Sequence, residues 1–361
     1  MIKHHISFVI IKFMKKEKEI MHMADALISP AVGGIMLVAT AGLATYSIKK
    51  VQNDLDDKKV PLMGVMGAFI FASQMINISI PATGSSGHIG GGMLLAILLG
   101  PYAGFLTMAS ILLIQALFFG DGGLLAYGCN VFNLGFYTCF IAYPLIYKWM
   151  TRKELTSGRI VGASMLSAII GLQLGAFSVV LETLFSGKTE LPFHTFILLM
   201  QPIHLAIGVV EGIVTAAIVT FVWKARPEIL ERNAAGDPIG NISIKKVLTG
   251  ILAGALIIGG FVSWFASSDP DGLEWSMERT AGTAELEVSD SVYDTLANIQ
   301  SKTAFLPDYS FKSASEADSN SYAGTSISGI VGGALTLGLA GLIGLLISIF
   351  KKKNRRLKGN K

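Results

Sequence analysis

From Val60 to Gly120 the chain carries no Asp, Glu, Lys or Arg. A soluble domain cannot cover its surface with such a run, because about a quarter of its residues are charged. Here charged residues are 15% of the chain and hydrophobic ones 52%. A water-soluble enzyme and a disordered chain are thereby excluded. The chain reads as an all-α integral membrane protein, and its 40 glycines suit close helix packing in lipid.

About 20 apolar residues are needed to cross the hydrocarbon core. Candidate spans are 31–48, 62–80, 102–119, 126–147, 160–181, 195–223, 247–267 and 327–350. Length and number, rather than periodicity, assign them to a membrane. Loops 49–59, 148–159 and 224–246 are basic, and so is the tail 351–361. Basic loops stay in the cytoplasm, so all four face inward, while the acidic segment 268–326 faces outward. This parity requires three crossings within 60–120. The third is a short half-helix, about 88–99, stopped by Gly100-Pro101. The expectation is a seven-span bundle with one half-helix, then a two-span hairpin with an outer loop. Irregular backbone at membrane depth needs a protein or cavity cover, and often marks a substrate site.

Residues 1–20 lack the cleavage site of a signal peptide and fit the bundle poorly, which reads as a misannotated leader. The division expected is 1–20 leader, 21–223 first membrane unit, 224–246 cytoplasmic linker, 247–350 two-span unit and 351–361 basic tail. Cys129 and Cys139 have no metal-type spacing and support neither a disulfide framework nor a thiolate site. The net charge of +4 is concentrated at helix ends and is not a nucleic-acid signature.

His22 lies in Met21-His22-Met23-Ala24-Asp25, and His88 in Gly84-Ser85-Ser86-Gly87-His88-Ile89-Gly90-Gly91-Gly92. Imidazole is a common metal ligand, and flanking glycines let a backbone approach closely. His88 alternatively caps a helix or sits in a loop. His4 and His5 are an adjacent pair within the leader. His204 and Glu211, two helical turns apart, share one face; they are either functional or a buried structural pair. Gln74, Asn77, Gln115, Asn130 and Asn133 are polar groups in spans that need partners away from lipid. Asn130 and Asn133 either orient a ligand histidine or join helices. Asp121, in Gly120-Asp121-Gly122-Gly123, either orients a histidine or caps the next helix. No Walker lysine motif, nucleophile elbow or zinc-protease motif is present, so the chain reads as neither nucleotide-binding nor enzymatic.

Met21-His22 with Asp25, PLMGVMGAFIFASQMINISIP (61–81), GSSGHIGGG (84–92), LLGP (98–101), QALFFGDGGLLAYGCNVFNLG (115–135) and HLAIGVVEG (204–212) together resemble one family. It is the nickel/cobalt substrate-binding component, NikM/CbiM, of energy-coupling-factor (ECF) ABC transporters. Pro270-Asp271-Gly272-Leu273-Glu274 resembles the PDGLE signature of the two-span NikN component, fused here to the first unit. The resemblance implies a seven-span fold and transport of Ni(II) or Co(II) as substrate across a prokaryotic plasma membrane. It also implies a transmembrane coupling subunit (NikQ/CbiQ type) and cytosolic ATPase subunits (NikO/CbiO type) on separate chains. The implied metal ligands are the α-amine of Met21, the amide nitrogen and imidazole of His22, and the imidazole of His88. Four nitrogens in a plane suit Ni(II), and Cu(II) also, and exclude Mg and Ca, which want oxygen ligands. Ser85, Gln115, Asp121, Asn130, Asn133, His204 and Glu211 are carried as supporting or structural residues. The family's start is Met-His-Ile followed by Asp-Gly, whereas this one is Met-His-Met-Ala-Asp-Ala. An amine donor requires a chain that begins at Met21. PDGLE favours nickel over cobalt. No ligand is recognised in 247–350, so that unit is expected to serve transport more than binding. The rival readings are a gradient-driven metal permease, which needs paired intramembrane carboxylates, and a membrane scaffold without substrate.

Overall fold

The computed structural model describes residues 22–52, 55–286, 288, 290–311 and 320–359. Met21 and the leader with His4 and His5 lie outside the described residues. Seven helices make the first bundle: α1 Pro30–Val51, α2 Lys59–Gln74, α3 Gly92–Leu99, α4 Pro101–Phe119, α5 Tyr127–Thr151, α6 Ser157–Phe185 and α7 Phe193–Ala225. A short helix, α8 (Pro227–Ala235), leads to α9 (Lys245–Gly260). Two helices, α10 (Gly272–Ala281) and α11 (Ser291–Thr303), lie in the loop before α12 (Asn320–Gly359). Among the described residues α1, α4, α5, α6, α7 and α12 are long and apolar enough to cross a membrane. The three remaining expected crossings are α2, α3 and α9, of 16, 8 and 16 residues.

The expected span 62–80 is not one helix. It ends at Gln74, and an antiparallel pair follows, β1 Ile78–Ile80 with β2 Ser85–Gly87, in the register Ser79 opposite Ser86. The reason is local. Ile78 and Ile80 alternate with Asn77 and Ser79 at the two-residue strand period, and apolar content alone hides that change. The half-helix begins at Gly92 instead of near residue 88, so His88 stands in the loop between β2 and α3. Gly91, at φ 76°, supplies a left-handed turn into α3 that a side chain would strain. The half-helix stops at Gly100, and Pro101 starts α4 at a position where its missing N–H costs nothing.

Ile35 and Val38 on α1 and Leu198 on α7 are 68%, 75% and 72% exposed. On helices this apolar, such faces are those a bilayer covers. The segments α2 and α3 are instead buried nearly throughout. The helices α9 and α12 of the hairpin pack along α2. A Cβ at Gly64 would sit 2.9 Å from the Leu337 carbonyl oxygen, and one at Gly329 would sit 2.6 Å from the Gly259 Cα. Small residues therefore set these helix separations. The linker 224–246 is partly structured. Ile229 and Leu230 of α8 are buried, and the Asn233 side-chain amide donates to the Leu98 carbonyl under the half-helix.

Candidate metal centre

The start of the described chain is threaded into the bundle. Met23, Leu27 and Ile28 are buried. Asn130 grips the main chain of Met23 twice: its Oδ1 accepts from the Met23 N–H at 3.1 Å, and its Nδ2 donates to the Met23 carbonyl at 3.0 Å. Gly123 N–H donates to the same carbonyl at 3.0 Å. The Asp25 carboxylate accepts from the Ala126 N–H at 2.9 Å. A Cβ at Gly123 would collide with the Asp25 side chain, so this approach requires glycine.

That anchoring places the His22 imidazole, only 4% exposed, inside the protein. Its Nδ1 lies 3.0 Å from Asp121 Oδ2, while its Nε2 is buried with no hydrogen-bond partner among the described residues. A carboxylate on Nδ1 assigns the proton to that nitrogen and leaves a lone pair on Nε2. Asp121 is held by the turn that ends α4, where Gly120 and Gly122 take φ of 69° and 78° and Asp121 N–H donates to the Gln115 carbonyl at 3.2 Å. Burial pushes the Asp121 carboxyl up. Its contact with His22 and the hydrogen bond from the Tyr309 hydroxyl outweigh that and hold it below the usual carboxylate range.

The glycine loop brings His88 to His22, with ring centroids 5.2 Å apart. His88 Nδ1 lies 3.2 Å from the Ile89 carbonyl oxygen. Two helices clamp the loop. Glu211 of α7 accepts from the N–H groups of Gly90 and Gly91, both at 3.0 Å, and Gln74 of α2 donates to the Gly90 carbonyl at 2.8 Å. His204, on the same face of α7, directs its Nδ1 to the Met200 carbonyl at 2.8 Å. His22, His88 and His204 line one cavity of about 80 Å³, with Asn130 and Asn133 also in its wall. Among the described residues no three His, Cys, Asp or Glu side chains form a ready metal cluster. The cavity supplies imidazole nitrogens, and any further donors would come from backbone or from the chain start.

Residues 22–229 match the family described as the cobalt uptake substrate-specific transmembrane region, CbiM, and residues 245–349 match the PDGLE domain. The chain belongs to the CbiM family. It is 31% identical over 319 residues to a protein of Archaeoglobus fulgidus named as a fused nickel transport protein, NikMN, covering 88% of this chain and 96% of that one. The fused nickel transport protein NikMN of Rhodobacter capsulatus is 33% identical, over 60% of this chain and 66% of its own. A crystal structure of a truncated transition metal transporter superposes with a TM-score of 0.50 at 32% identity, covering 57% of this chain and 99% of that one. CbiM proteins are transporter components rather than enzymes, and this chain is a nearly all-helical, multi-pass member of that family.

The PDGLE segment of this CbiM chain forms part of the cavity wall through Asp271, Gly272 and Leu273. The sequence shows no ligand in this unit, and its contact with the cavity is legible only in the fold. Each letter of the signature has a local task. The Pro270 carbonyl accepts from the Ser86 N–H at 2.8 Å, tying the segment to β2. Asp271 caps α10, its Oδ1 accepting from Leu273 and Glu274 N–H, both at 2.8 Å, and Glu274 completes the capping box. A Cβ on Gly272 would sit 2.8 Å from Ile207 Cδ1 and 3.1 Å from His204 Cε1. Leu273 packs in one cluster with Met23 and Leu27.

Not every expected supporting residue does what its position suggested. Asp121 meets a histidine directly. Asn130 holds Met23 rather than an imidazole, and Asn133 donates to Glu182 Oε2 at 2.9 Å rather than to a histidine. Ser85 Oγ donates to the carbonyls of Ser86 and Pro270 and serves the loop–PDGLE contact. Gln115 is buried beside Tyr309. Glu211 is a loop clamp, not a partner of His204. Sequence reasoning missed two residues. Glu182 falls one position beyond the expected span 160–181, but α6 runs to Phe185 and buries it. Tyr309 has no motif around it, yet its hydroxyl reaches Asp121 Oδ2 at 2.6 Å. A sequence signal for that contact does not exist, since it spans 188 positions.

Proposed function

We propose that this chain is the metal-capturing membrane subunit of an ATP-driven ECF importer of Ni(II), or Co(II). The metal is held by the α-amine of Met21, the amide nitrogen and imidazole of His22, and the imidazole of His88. The observation that carries the reading is the buried His22 imidazole meeting His88 and His204 in one cavity, its Nε2 without a hydrogen-bond partner among the described residues. A buried imidazole nitrogen without a partner loses hydration for nothing, and a divalent cation that takes nitrogen donors restores the balance. Nitrogen donors suit Ni(II) and Co(II) and disfavour Mg(II) and Ca(II). The names of the fused relatives favour nickel. The metal enters from the outer face, and cytosolic ATPases acting through a coupling subunit drive its release inward.

The chemistry constrains how His22 takes part. A chelate ring through its own amide nitrogen closes through Nδ1, the atom that Asp121 now holds. The tautomer seen here offers Nε2 instead. Chelation through the amide therefore requires the ring to turn and Asp121 to release it. The amine donor also requires a metal-binding form that begins at Met21, which the intact mass of metal-loaded protein from its native membrane checks.

Calorimetric titration of Ni(II) and Co(II) tests the centre. His88→Ala is expected to lose at least ~100-fold in affinity, as removal of one of four ligands and of its orientation implies, while the protein remains folded in the membrane. Unchanged affinity overturns the assignment. Uptake that stops when the ATPase subunits are withheld supports the ATP-driven reading; continued uptake identifies a gradient-driven permease instead. Against that rival, both oxygens of Glu211 are already committed to loop amides.

A further inference from the structure

We propose that the groove between the α5–α6 turn and the α7–α8 junction, at the end of the bundle far from the histidines, seats the head group of an anionic phospholipid from the cytoplasmic leaflet. Neither the groove nor its test involves the metal ligands.

The groove has a volume of about 910 Å³, within the range of sites that take small ligands. Four exposed cations stand on its rim: Lys148, Arg152 and Lys153 at the end of α5 and just beyond it, and Lys224 near the end of α7. Two carboxylates, Glu154 and Glu231, share the rim, so positive charge is in excess.

The floor decides the chemistry. Tyr147 is 3% exposed and lines the groove, and its hydroxyl has no hydrogen-bond partner among the described residues. Its ring stacks on Tyr143, with centroids 5.9 Å apart at 16°, which fixes the phenol in place. The other hydroxyl in the wall, Thr151 Oγ1, already donates to the Tyr147 carbonyl at 2.8 Å. A buried donor without an acceptor costs its desolvation. A phosphate ester supplies acceptor oxygens and the charge opposite to the rim, so the phenol and the cations can all donate to it.

The surroundings point to a lipid as the source of that phosphate. Leu155, Trp223 and Leu230 make the rest of the wall apolar, which suits a glycerol backbone and its first acyl carbons better than a free ion. Beside the groove, Leu145 and Trp149 are exposed, and the Arg152 guanidinium lies over the Trp149 ring at 5.4 Å. Tryptophan concentrates at the head-group level of a bilayer. The charge rule that keeps loops 148–159 and 224–246 inside turns the groove toward the cytoplasmic leaflet, whose anionic head groups basic pockets between spans recognise. A lipid seated here bridges α5 to α8, and α8 in turn supports the half-helix through the bond from Asn233 to the Leu98 carbonyl.

The test is native mass spectrometry of the full-length chain in detergent, titrated with phosphatidylglycerol or with phosphatidylcholine, whose head group adds a cation. Wild type should retain phosphatidylglycerol in preference. Lys148→Gln with Arg152→Gln should weaken its binding ~30-fold, about fivefold for each cation facing an anionic head group. Tyr147→Phe keeps the stacked ring and should weaken it ~10-fold, as loss of a hydrogen bond to a charged group implies. Lys245→Gln with Lys246→Gln removes the same charge at the start of α9, outside the groove, and should leave retention unchanged. Wild-type retention in Tyr147→Phe or in the Lys148 and Arg152 variant overturns the proposal. So does an equal loss in the Lys245 and Lys246 variant, which would mean a diffuse field and no site. Displacement of the lipid by inorganic phosphate makes the ligand a soluble phosphate and overturns the lipid source. Undiminished lipid binding with lost capture of a coupling subunit in the Lys148 and Arg152 variant makes the groove a protein interface, and overturns it too.

Discussion

At the scale of single residues, the centre depends on side chains that hold main chain more than on the histidines themselves. Asn130 satisfies both the N–H and the carbonyl of Met23 with one amide, which suits Asn and no other residue of its size. Asn130→Ala leaves two buried main-chain groups without that partner and is expected to destabilise the chain start by about 2 kcal/mol. Faster hydrogen exchange at the Met23 amide, with weaker metal binding and an unchanged melting profile for the rest of the bundle, is the expected result. Normal protection at Met23 would show that the start is held by other contacts. Glu211 works in the same way on the glycine loop. In the sequence it reads as a companion of His204, because the seven-residue spacing puts both on one face. The spacing was legible; that the carboxylate would reach two backbone amides on another segment was not.

At the scale of elements, the short pieces decide the site. The half-helix α3 leaves the glycine loop irregular enough to carry His88, and the parity of the basic loops demands that extra crossing from sequence alone. The hairpin β1–β2 escaped the same reasoning, because its alternating Ile and Ser occupy too few residues to stand out from the apolar run. On the facing side, α10 is only 10 residues long and depends on its ends. Asp271→Ala removes the cap and is expected to cost about 1 kcal/mol. The loss should appear as reduced hydrogen-exchange protection across 272–281 while α6 and α7 keep theirs. Full protection of α10 in the variant would mean that the Pro270–Ser86 contact alone fixes the segment.

For the whole molecule, the accessory hairpin is part of the bundle. It packs along α2 through its two helices and reaches over the cavity through its outer loop. We infer its orientation from the charge asymmetry: the acidic loop outside, the basic end of α12 inside. Both native cysteines are buried, so single introduced cysteines report cleanly. In intact cells Asp294→Cys is expected to react with an impermeant thiol reagent, and Lys353→Cys only after permeabilisation. The reverse pattern would invert every span and place the cavity on the cytoplasmic side.

The sequence by itself determined the helical membrane architecture, the extra crossing, the family and the two central histidines. These are properties of composition, of charge beside each span and of contiguous motifs, all of which act locally along the chain. Only the tertiary structure decided that His22 leans on Asp121 through Nδ1, that Glu211 clamps the loop of His88, and that PDGLE lines the same cavity. It alone joined Tyr309 to Asp121. Such contacts depend on which helix faces meet. In an apolar chain the faces that meet are selected by the fit of small residues such as Gly64, Gly259 and Gly329, because lipid offers no hydrophobic difference to select them.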